Sequence, residues 1–270
     1  MWLLILEILM CLTTQANSEV MPNQFTCKHF FYKGTEPKGI IPQNAARICQ
    51  TYNNRAHFAT MYDKENRIPI YSAYIHTNGG NGIRSNDWYI EPQLIDRRRE
   101  KNMIIVSNNA TEEEKESQAV SEDYTATDAT RYDRGHLSPS MHHNNEESRT
   151  ATFTLTNIVP QRTILNQGEW NRYETEIMQQ FVNGCTTTYV IVGVIRGKND
   201  KKTINNRVKV PSHLWTAACC VNNNNNPMRS LGYIAENDDK PVEDINLADL
   251  QRQIKGDTGR EVTLFENNCR

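Results

Sequence analysis

The chain has 270 residues, of which 37% are hydrophobic and 23% are charged, and its formal net charge at pH 7 is −2. This length suits one large domain or two small ones, with enough residues to bury a core. The composition is that of a globular protein. Because a nucleic-acid binder usually carries a basic surplus, the total charge argues mildly against that class, but it does not exclude a local basic cleft.

The chain begins with an apolar run over residues 2–12, followed by small and polar residues. This order is typical of a secretory signal peptide. We therefore predict a signal peptide over residues 1–17 and a single domain over residues 18–270 of a secreted protein. No Lys or Arg precedes the run and Glu7 interrupts it, so a buried N-terminal strand or helix is the alternative. The run is too short to span a membrane, and we expect no membrane partner.

The first half of the chain contains one helix-like segment and two strand-like segments. Residues 44–53 (NAARICQTYN) favour a short helix, whereas residues 58–63 (FATMYD) and 67–76 (RIPIYSAYIH) favour β-strands. The glycines and asparagines of residues 78–82 indicate a turn. The polar residues 96–130 predict an exposed loop or a helix with charge pairs. The N-x-T sequon at Asn109 lies in this stretch and predicts a glycan.

The second half of the chain contains the strongest strand and helix patterns. Residues 149–160 predict a half-buried strand ended by Pro160, and residues 165–184 predict an amphipathic helix ended by Gly184. Further strands are expected over residues 186–197 and on both sides of Pro211, followed by a hairpin at 222–227 and a helix at 246–254. Because strands and helices do not alternate regularly, we predict an α+β fold with mainly antiparallel sheets flanked by helices.

Six cysteines remain after removal of residues 1–17: Cys27, Cys49, Cys185, Cys219, Cys220 and Cys269. An even number in a secreted chain predicts three disulfides, although the pairing cannot be deduced. Cys27 and Cys49 form the natural local pair. Cys219 and Cys220 are adjacent in a strand-like run, so their side chains face opposite ways and favour different partners. A zinc site is the competing interpretation, but no matching C-x-x-C pairs occur.

A series of polar residues in the middle of the chain predicts a chemical site. Arg134 and His136 lie two apart in an extended segment and therefore point to the same side. Asn157 follows in the next predicted strand, while Asn166 and Glu174 lie eight residues apart on one face of the predicted helix. A histidine, two carboxamides and a carboxylate would then converge on one place.

This set of side chains fits metal-assisted cleavage of a phosphodiester. A neutral imidazole such as that of His136 can take a proton from water near physiological pH. The amide oxygen of Asn166 suits Mg²⁺, which keeps several waters and takes other ligands from phosphate. Taken singly, each residue also has a structural interpretation: Asn157 as a turn residue, for example, and Asn166 as a helix cap. Only the joint arrangement favours chemistry.

The segments DRGH at 133–136 and TNIVPQRTILNQGEWNRYE at 156–174 closely resemble the DNA/RNA non-specific endonucleases. These are the ββα-metal, or His-Me finger, nucleases. The flanking segments resemble the secreted endonuclease domain-containing 1-like branch of that family. The resemblance extends from about residue 27 to the C-terminus. It implies a ββα-metal active-site motif within the α+β fold.

The resemblance also implies a role for each matching residue. His136 would be the general base and Asn166 the direct protein ligand of one Mg²⁺, for which Mn²⁺ is a possible substitute. Asn157 would hold the geometry of the site, Glu174 would act through metal-bound water, and Arg134 would stabilise phosphate charge. The family has a further arginine upstream, and the candidate in this chain is Arg84. Asp133 is expected to fix the loop.

The leading hypothesis is a secreted, Mg²⁺-dependent endonuclease that binds DNA and RNA through backbone contacts and cuts them without sequence specificity. The alternative is a disulfide-bonded extracellular binding protein that has a nuclease fold but little or no activity. A phosphodiesterase for another phosphorylated substrate is a third possibility. The sequence does not specify the oligomeric state or the preference between DNA and RNA.

Overall fold

The computed structural model describes residues 20–21, 23–79, 85–107, 109–197 and 200–269. Residues 1–17, for which we predict a signal peptide, lie outside this part of the chain. The strands are β1 (Val20–Met21), β2 (Ala45–Tyr52), β3 (Arg55–Asp63), β4 (Ile68–Ile75), β5 (Tyr89–Ile90), β6 (Ile104–Ile105), β7 (Tyr132–His136), β8 (Ile158–Arg162), β9 (Thr187–Ile195), β10 (Thr203–Ile204), β11 (Val208–Lys209), β12 (His213–Val221), β13 (Pro227–Glu236) and β14 (Glu243–Asp244). The α-helices are α1 (Pro92–Ile95), α2 (Glu112–Ser117), α3 (Glu146–Ala151), α4 (Thr163–Gln167), α5 (Glu169–Arg172), α6 (Met178–Val182) and α7 (Leu247–Thr258), and Tyr173–Ile177 forms a π-helical turn.

The scaffold is one eight-stranded sheet in the order β1-β2-β3-β4-β9-β12-β13-β14, and its neighbouring strands are antiparallel. The central strands β9 and β12 are almost continuously apolar because both faces of the sheet are covered. Close packing at the centre requires Gly193, since a Cβ there would lie 2.3 Å from the indole of Trp215. The α+β fold with mainly antiparallel sheets, expected from the sequence, is confirmed.

The two faces of this sheet carry different elements. One face, here called the cleft face, packs against β7, β8 and the helical segment from α4 to α6, with Val190, Val192 and Trp170 in its core. The other, here called the disulfide face, packs against α7 and the segments near both ends of the described chain. Alternation along β9 sends successive side chains to opposite cores, which is why one strand contributes to both.

The six expected cysteines form three disulfides. Cys27 pairs with Cys49, as the local pairing predicted, and Cys219 pairs with Cys269; both bridges lie on the disulfide face. The third bridge joins Cys185 to Cys220, the residue that follows Cys219 in β12. The prediction that Cys219 and Cys220 have different partners is therefore confirmed. Their thiols are used in cross-links, so they do not serve as metal ligands.

The segment that contains the DRGH sequence forms a two-stranded ribbon followed by a helix. β7 pairs with β8 in antiparallel register, with His136 opposite Ile158, and α4 begins directly after β8. The predicted strand over residues 149–160 is wrong in its bounds, because residues up to Ala151 belong to α3 and the strand begins only at Ile158. Pro160 lies inside β8 rather than ending it. A two-stranded ribbon tolerates proline, since the missing N–H faces away from its partner.

Two predicted helices are corrected by the structure. Residues 44–53 were predicted to be helical, but Ala45–Tyr52 is strand β2, paired with β3 and β1. Its Ile, Cys, Thr and Tyr residues are weak helix formers, and pairing within the sheet decides their conformation. The helix over residues 165–184 exists but is interrupted at Gly168, which has non-helical φ and ψ of −102° and −112°. Gly184 adopts φ 78° just after α6, as a helix stop requires.

The polar stretch at 96–130 is not simply an exposed loop. α2 is charge-paired and begins with a capping box at Thr111, but Val120, Asp123 and Tyr124 beyond it are buried. Asn109 of the sequon is exposed. Within the described residues, no helix is both long and apolar enough to cross a membrane.

Candidate active site

A polar cleft of about 640 Å³ opens on the cleft face. β7 and the turn after it form one wall, and the helical segment from α4 to the π-helical turn forms the opposite wall. The lining side chains include Trp88, Tyr124, Tyr132, Asp133, Arg134, His136, Asn166, Gln167, Asn171 and Glu174. Four of the six predicted site residues therefore share one cleft.

β7 presents Arg134 and His136 to the cleft because alternate residues of a strand share a side. Gly135, between them, faces the opposite way. A Cβ at this position would lie 2.2 Å from Oε1 of Gln161 on the partner strand. Glycine is therefore required here, since the buried Gln161 side chain crosses over its backbone. This contact gives a physical reason for the glycine in the DRGH sequence.

The guanidinium group of Arg134 is held between two aromatic rings. It lies 5.0 Å from the ring centroid of Trp88 and 5.4 Å from that of Tyr124, and Nη2 donates to the carbonyl oxygen of Ser121 at 3.4 Å. No salt bridge to Arg134 occurs within the described part of the chain. Burial lowers the pKa of Arg134 from its usual value, but a guanidinium stays charged in proteins. Its charge is therefore oriented but not neutralised.

The imidazole of His136 is also fixed by aromatic contacts. Its ring centroid lies 5.6 Å from that of Trp88 and 5.1 Å from that of Phe153, the latter in an edge-on arrangement. Trp88 thus touches both the imidazole and the neighbouring guanidinium. The aromatic contacts restrict the ring of His136 while leaving it on the cleft wall.

The side chain of Asp133 orients the amide of Asn166. Its carboxylate accepts hydrogen bonds from Oγ1 of Thr163 at 2.9 Å, from Nδ2 of Asn166 at 2.9 Å and from Nε2 of Gln167 at 3.0 Å. Because the amide nitrogen of Asn166 donates to this carboxylate, its Oδ1 is on the other side of the amide group. Within the described residues this oxygen accepts no hydrogen bond, so it is available to a cation.

Glu174 lies in the π-helical turn, on the cleft wall opposite β7. The backbone carbonyl of Glu174 accepts a hydrogen bond from Nε2–H of His142 at 2.9 Å, and Nδ1 of that imidazole accepts from the hydroxyl of Tyr74 at 2.8 Å. A carbonyl can only accept, so it determines this tautomer. Burial raises the pKa of the Glu174 carboxyl to about 8, because the protein removes water from the charged form.

Asn157 lies beneath the cleft rather than in it. Its side chain is fully buried, and Oδ1 accepts from Oγ of Ser72 at 2.9 Å and from the backbone N–H of Ser138 at 3.0 Å. Its Nδ2 donates to the carbonyl oxygens of Ser138 and Thr152 at 2.9 and 3.0 Å. This single amide ties β4, the turn after His136 and the end of α3 together. The expectation that both carboxamides face one site is therefore wrong for Asn157.

The donor atoms of the cleft suit a hard cation with few protein ligands. No group of three or more His, Cys, Asp or Glu residues forms a metal site in the described part of the chain. The amide oxygen of Asn166 and the nearby carboxyl of Glu174 are oxygen donors, and Mg²⁺ usually takes one or two protein oxygens and keeps several waters. The residues present therefore fit a magnesium ion.

Comparison with known proteins agrees with this geometry. The family model described as DNA/RNA non-specific endonuclease matches residues 36–263. The chain belongs to this family. The matched residues include every strand from β2 to β14, and therefore most of the central sheet as well as the cleft.

The chain is also similar to individual proteins. The chain is 28% identical to the human Endonuclease domain-containing 1 protein over 250 residues and 29% identical to the mouse protein over 251 residues. These matches cover 90% of this chain but 47% of each relative, so the chain spans about half of their length. The mouse mitochondrial Nuclease EXOG is 32% identical over 112 residues, which cover 36% of this chain and 28% of that protein.

The fold is also similar to that of a solved structure. A chain of the EndoG/EndoGI complex superposes with a TM-score of 0.55 at 18% identity, and the match covers 76% of this chain and 82% of that chain. At this identity the likeness concerns the fold alone. The ribbon β7–β8 followed by α4 is the ββα motif that the resemblance implied.

Arg84, the candidate upstream arginine, lies outside the described residues. Trp88 and Tyr124, which hold the guanidinium of Arg134, were not predicted as site residues. His142 was also missed, because its contact with Glu174 joins residues 32 positions apart in sequence and produces no local pattern.

Proposed function

We propose that this chain is a secreted, Mg²⁺-dependent endonuclease that hydrolyses phosphodiester bonds in DNA and RNA without sequence specificity. The observation that carries the proposal is the pair Asp133–Asn166. The carboxylate holds the amide nitrogen, which leaves the amide oxygen in the cleft that His136, Arg134 and Glu174 line. A carboxylate that orients the amide in this way gives the support that a metal-binding side chain usually receives from its neighbours.

In this proposal, Asn166 holds the magnesium ion, with Mn²⁺ as a possible substitute. The ion supplies charge stabilisation at the phosphate oxygens when it is bound. His136 takes a proton from the attacking water, whose oxygen forms a bond to phosphorus while the bond from phosphorus to the leaving oxygen breaks. Arg134 stabilises the negative charge that develops on the phosphate, since its guanidinium is oriented by Trp88 and Tyr124 and forms no salt bridge with any described residue.

The other residues support this step indirectly. Asn157 holds the turn after His136, and Glu174 places a carboxyl where it can bind water in the metal's hydration shell. Arg84 is the proposed second phosphate-binding arginine. The cleft is polar and Arg134 lines it. We therefore expect the cleft to bind the phosphate backbone rather than the bases, which accounts for cleavage without sequence specificity.

Secretion is the proposed setting of this activity. Three disulfides are typical of proteins that mature in an oxidising compartment. We propose that residues 1–17 are a cleaved signal peptide, that residues 18–270 form one domain, and that Asn109 carries a glycan. Mass spectrometry of the secreted protein, before and after removal of glycans, would detect the mature N-terminus and the sugar.

The central test is cleavage of supercoiled plasmid DNA and of RNA by the purified protein, with Mg²⁺, with Mn²⁺ or with EDTA. We expect both substrates to be cut with either metal and neither to be cut with EDTA. Cleavage that persists in EDTA would remove the metal from the mechanism. Absence of cleavage under every condition would favour a binding protein with a nuclease fold.

A second measurement tests the metal ligand. Asn166→Ala should raise the Mg²⁺ concentration needed for half-maximal activity by about 10-fold or more, because changes around a metal site cost that much affinity. Asn171→Ala is the matched control, since it removes another amide from the same cleft. An equal shift in both variants would contradict the assignment of Asn166.

A further inference from the structure

A second depression adjoins the catalytic cleft at Tyr132. It has a volume of about 420 Å³, and Arg131, Arg162 and Lys202 are among the residues that line it. Tyr132 lines the catalytic cleft itself and pairs with Arg162 in the β7–β8 ribbon. The two depressions are therefore connected along the strand that carries Arg134 and His136.

The ring of Tyr132 organises two of these cations. The guanidinium carbon of Arg162 lies 5.9 Å from its centroid and Nζ of Lys202 lies 5.5 Å from it. A cation–π contact orients a charge without neutralising it. Arg131, Arg162 and Lys202 form no salt bridge within the described ranges of the chain. Three cationic side chains are thus available to an anion beside the cleft.

Acidic side chains also line this depression. Glu236 is neutralised by Lys240 at 2.6 Å, and a carboxylate oxygen of Asp200 accepts the backbone N–H of Lys202. Asp238 and Asp239 form no salt bridge within the described residues. A polyanion is therefore attracted to the cations around Tyr132 and repelled by Asp238 and Asp239.

The spacing along β7 fits a nucleic-acid strand that extends beyond the cleaved bond. From His136 to Tyr132 is four residues, or about 13 Å of extended chain. Each nucleotide of a strand carries one phosphate, so a strand that enters the cleft and continues along β7 brings further phosphates to the cations around Tyr132. Because these cations do not line the cleft itself, they bind the strand away from the bond that is cleaved.

We propose that Arg131, Arg162 and Lys202 form a binding subsite for the sugar–phosphate backbone of DNA or RNA, outside the cleft in which the bond is cleaved. This inference rests on the proposed nuclease function for the position of the scissile bond. The subsite contributes affinity for long substrates and does not contribute to the chemical step, so it favours cleavage within a chain over cleavage of very short fragments.

The test compares the wild-type protein with the double variant Arg162→Ala/Lys202→Ala. Fluorescence anisotropy with a labelled duplex of about 30 base pairs in EDTA measures binding without cleavage. Loss of two phosphate contacts should make the slope of log affinity against log salt shallower by about 2 and weaken binding about 10-fold at low salt. A parallel cleavage assay with Mg²⁺ should show a raised KM for the same duplex and an unchanged kcat. Hydrolysis of bis(4-nitrophenyl) phosphate, which is too small to reach the subsite, should be unchanged.

Two control variants make the result specific. Arg252→Ala removes an exposed cation from α7 on the disulfide face and should change neither the salt slope nor KM. Asp238→Asn/Asp239→Asn removes the repulsion by these two carboxylates and should strengthen duplex binding. The equivalent measurements with RNA should show the same losses, because the contact is to phosphate rather than to the sugar.

The outcomes separate the subsite from the nuclease function. A double variant with wild-type affinity and salt slope would overturn the subsite, whether or not the protein cuts DNA. A wild-type protein that cuts nothing, but whose double variant loses affinity and salt dependence as described, would overturn the nuclease function and keep the subsite. Equal loss on bis(4-nitrophenyl) phosphate and on the duplex would show that the variant damages the cleft, and would contradict a separate subsite.

Discussion

The two faces of the central sheet are built from the same strands but differ in what they bury. The disulfide face covers β9 and β12 with apolar side chains and has two of the three disulfides. The cleft face encloses ionisable groups instead, including Arg134, His142 and Glu174, whose pKa values are shifted by burial. Desolvated ionisable groups reduce stability and are common at functional sites. The cross-linked face thus stabilises the scaffold, while the other face tolerates groups that chemistry requires.

The largest expected effect tests the cleft face alone. His136→Ala should lower kcat by a factor of about 10² to 10⁴, the usual contribution of a general base, and leave the melting temperature nearly unchanged. The rate is measured on plasmid DNA and the melting temperature by calorimetry. His29→Ala, which alters an exposed histidine, should retain the wild-type rate. Wild-type turnover by the His136 variant would contradict its role.

The next effect tests the disulfide face alone. Replacing Cys219 and Cys269 together by Ala should lower the free energy of unfolding by about 2–5 kcal/mol, because the bridge closes a long loop. The value of kcat at room temperature should be unchanged, since neither residue reaches the cleft. Urea denaturation and plasmid cleavage measure the two quantities. A fall in kcat comparable to that of the His136 variant would show that the faces are not independent.

Replacement of Asn157 should affect both stability and activity. Asn157→Ala removes the hydrogen bonds that this side chain forms with Ser72, Ser138 and Thr152, and leaves buried polar groups of these residues unsatisfied. We expect the free energy of unfolding to fall by about 1–3 kcal/mol. Activity should fall as well, because the turn after His136 is no longer held. Loss of stability with full activity would show that this turn does not position the imidazole.

The smallest expected effect is a loss of stability in mild acid, which arises from the buried histidines behind the cleft. Burial lowers the pKa of His76 to about 4 and that of His143 to about 3, and places that of His142 well below its usual value. Below about pH 6.5 the unfolded chain takes up protons that the folded protein does not, so stability falls as the pH drops from 6.5 towards 4. Melting curves across this range should show the loss.

A matched variant identifies the source of this acid sensitivity. His143→Gln removes one titrating group, while its amide can still bond to Oγ of Ser138, which contacts Nε2 of His143 at 2.8 Å. The variant should lose less stability than the wild type between pH 6.5 and 4. An identical pH dependence would assign the effect to other groups.

Several features of this protein follow from local sequence. The apolar runs of β9 and β12, the hairpin at residues 222–227 and helix α7 were predicted from periodicity and turn residues alone. The opposite partners of Cys219 and Cys220 follow from strand alternation. The DRGH segment and the residues up to Glu174 identified the endonuclease family, because many residue types occur in a set order.

Other features were decided by tertiary contacts. Residues 45–52 form a strand only because β1 and β3 pair with them, and Pro160 lies within a strand because its ribbon has just two members. Sequence spacing predicted Asn157 in the cleft, whereas its hydrogen bonds with Ser72 and Ser138 hold it beneath the cleft. The orientation of the Asn166 amide by Asp133, and the cations around Tyr132, likewise join residues that are about 30 to 70 positions apart. Local patterns report which face of an element is apolar, but the direction of a polar side chain depends on the partners that folding brings to it.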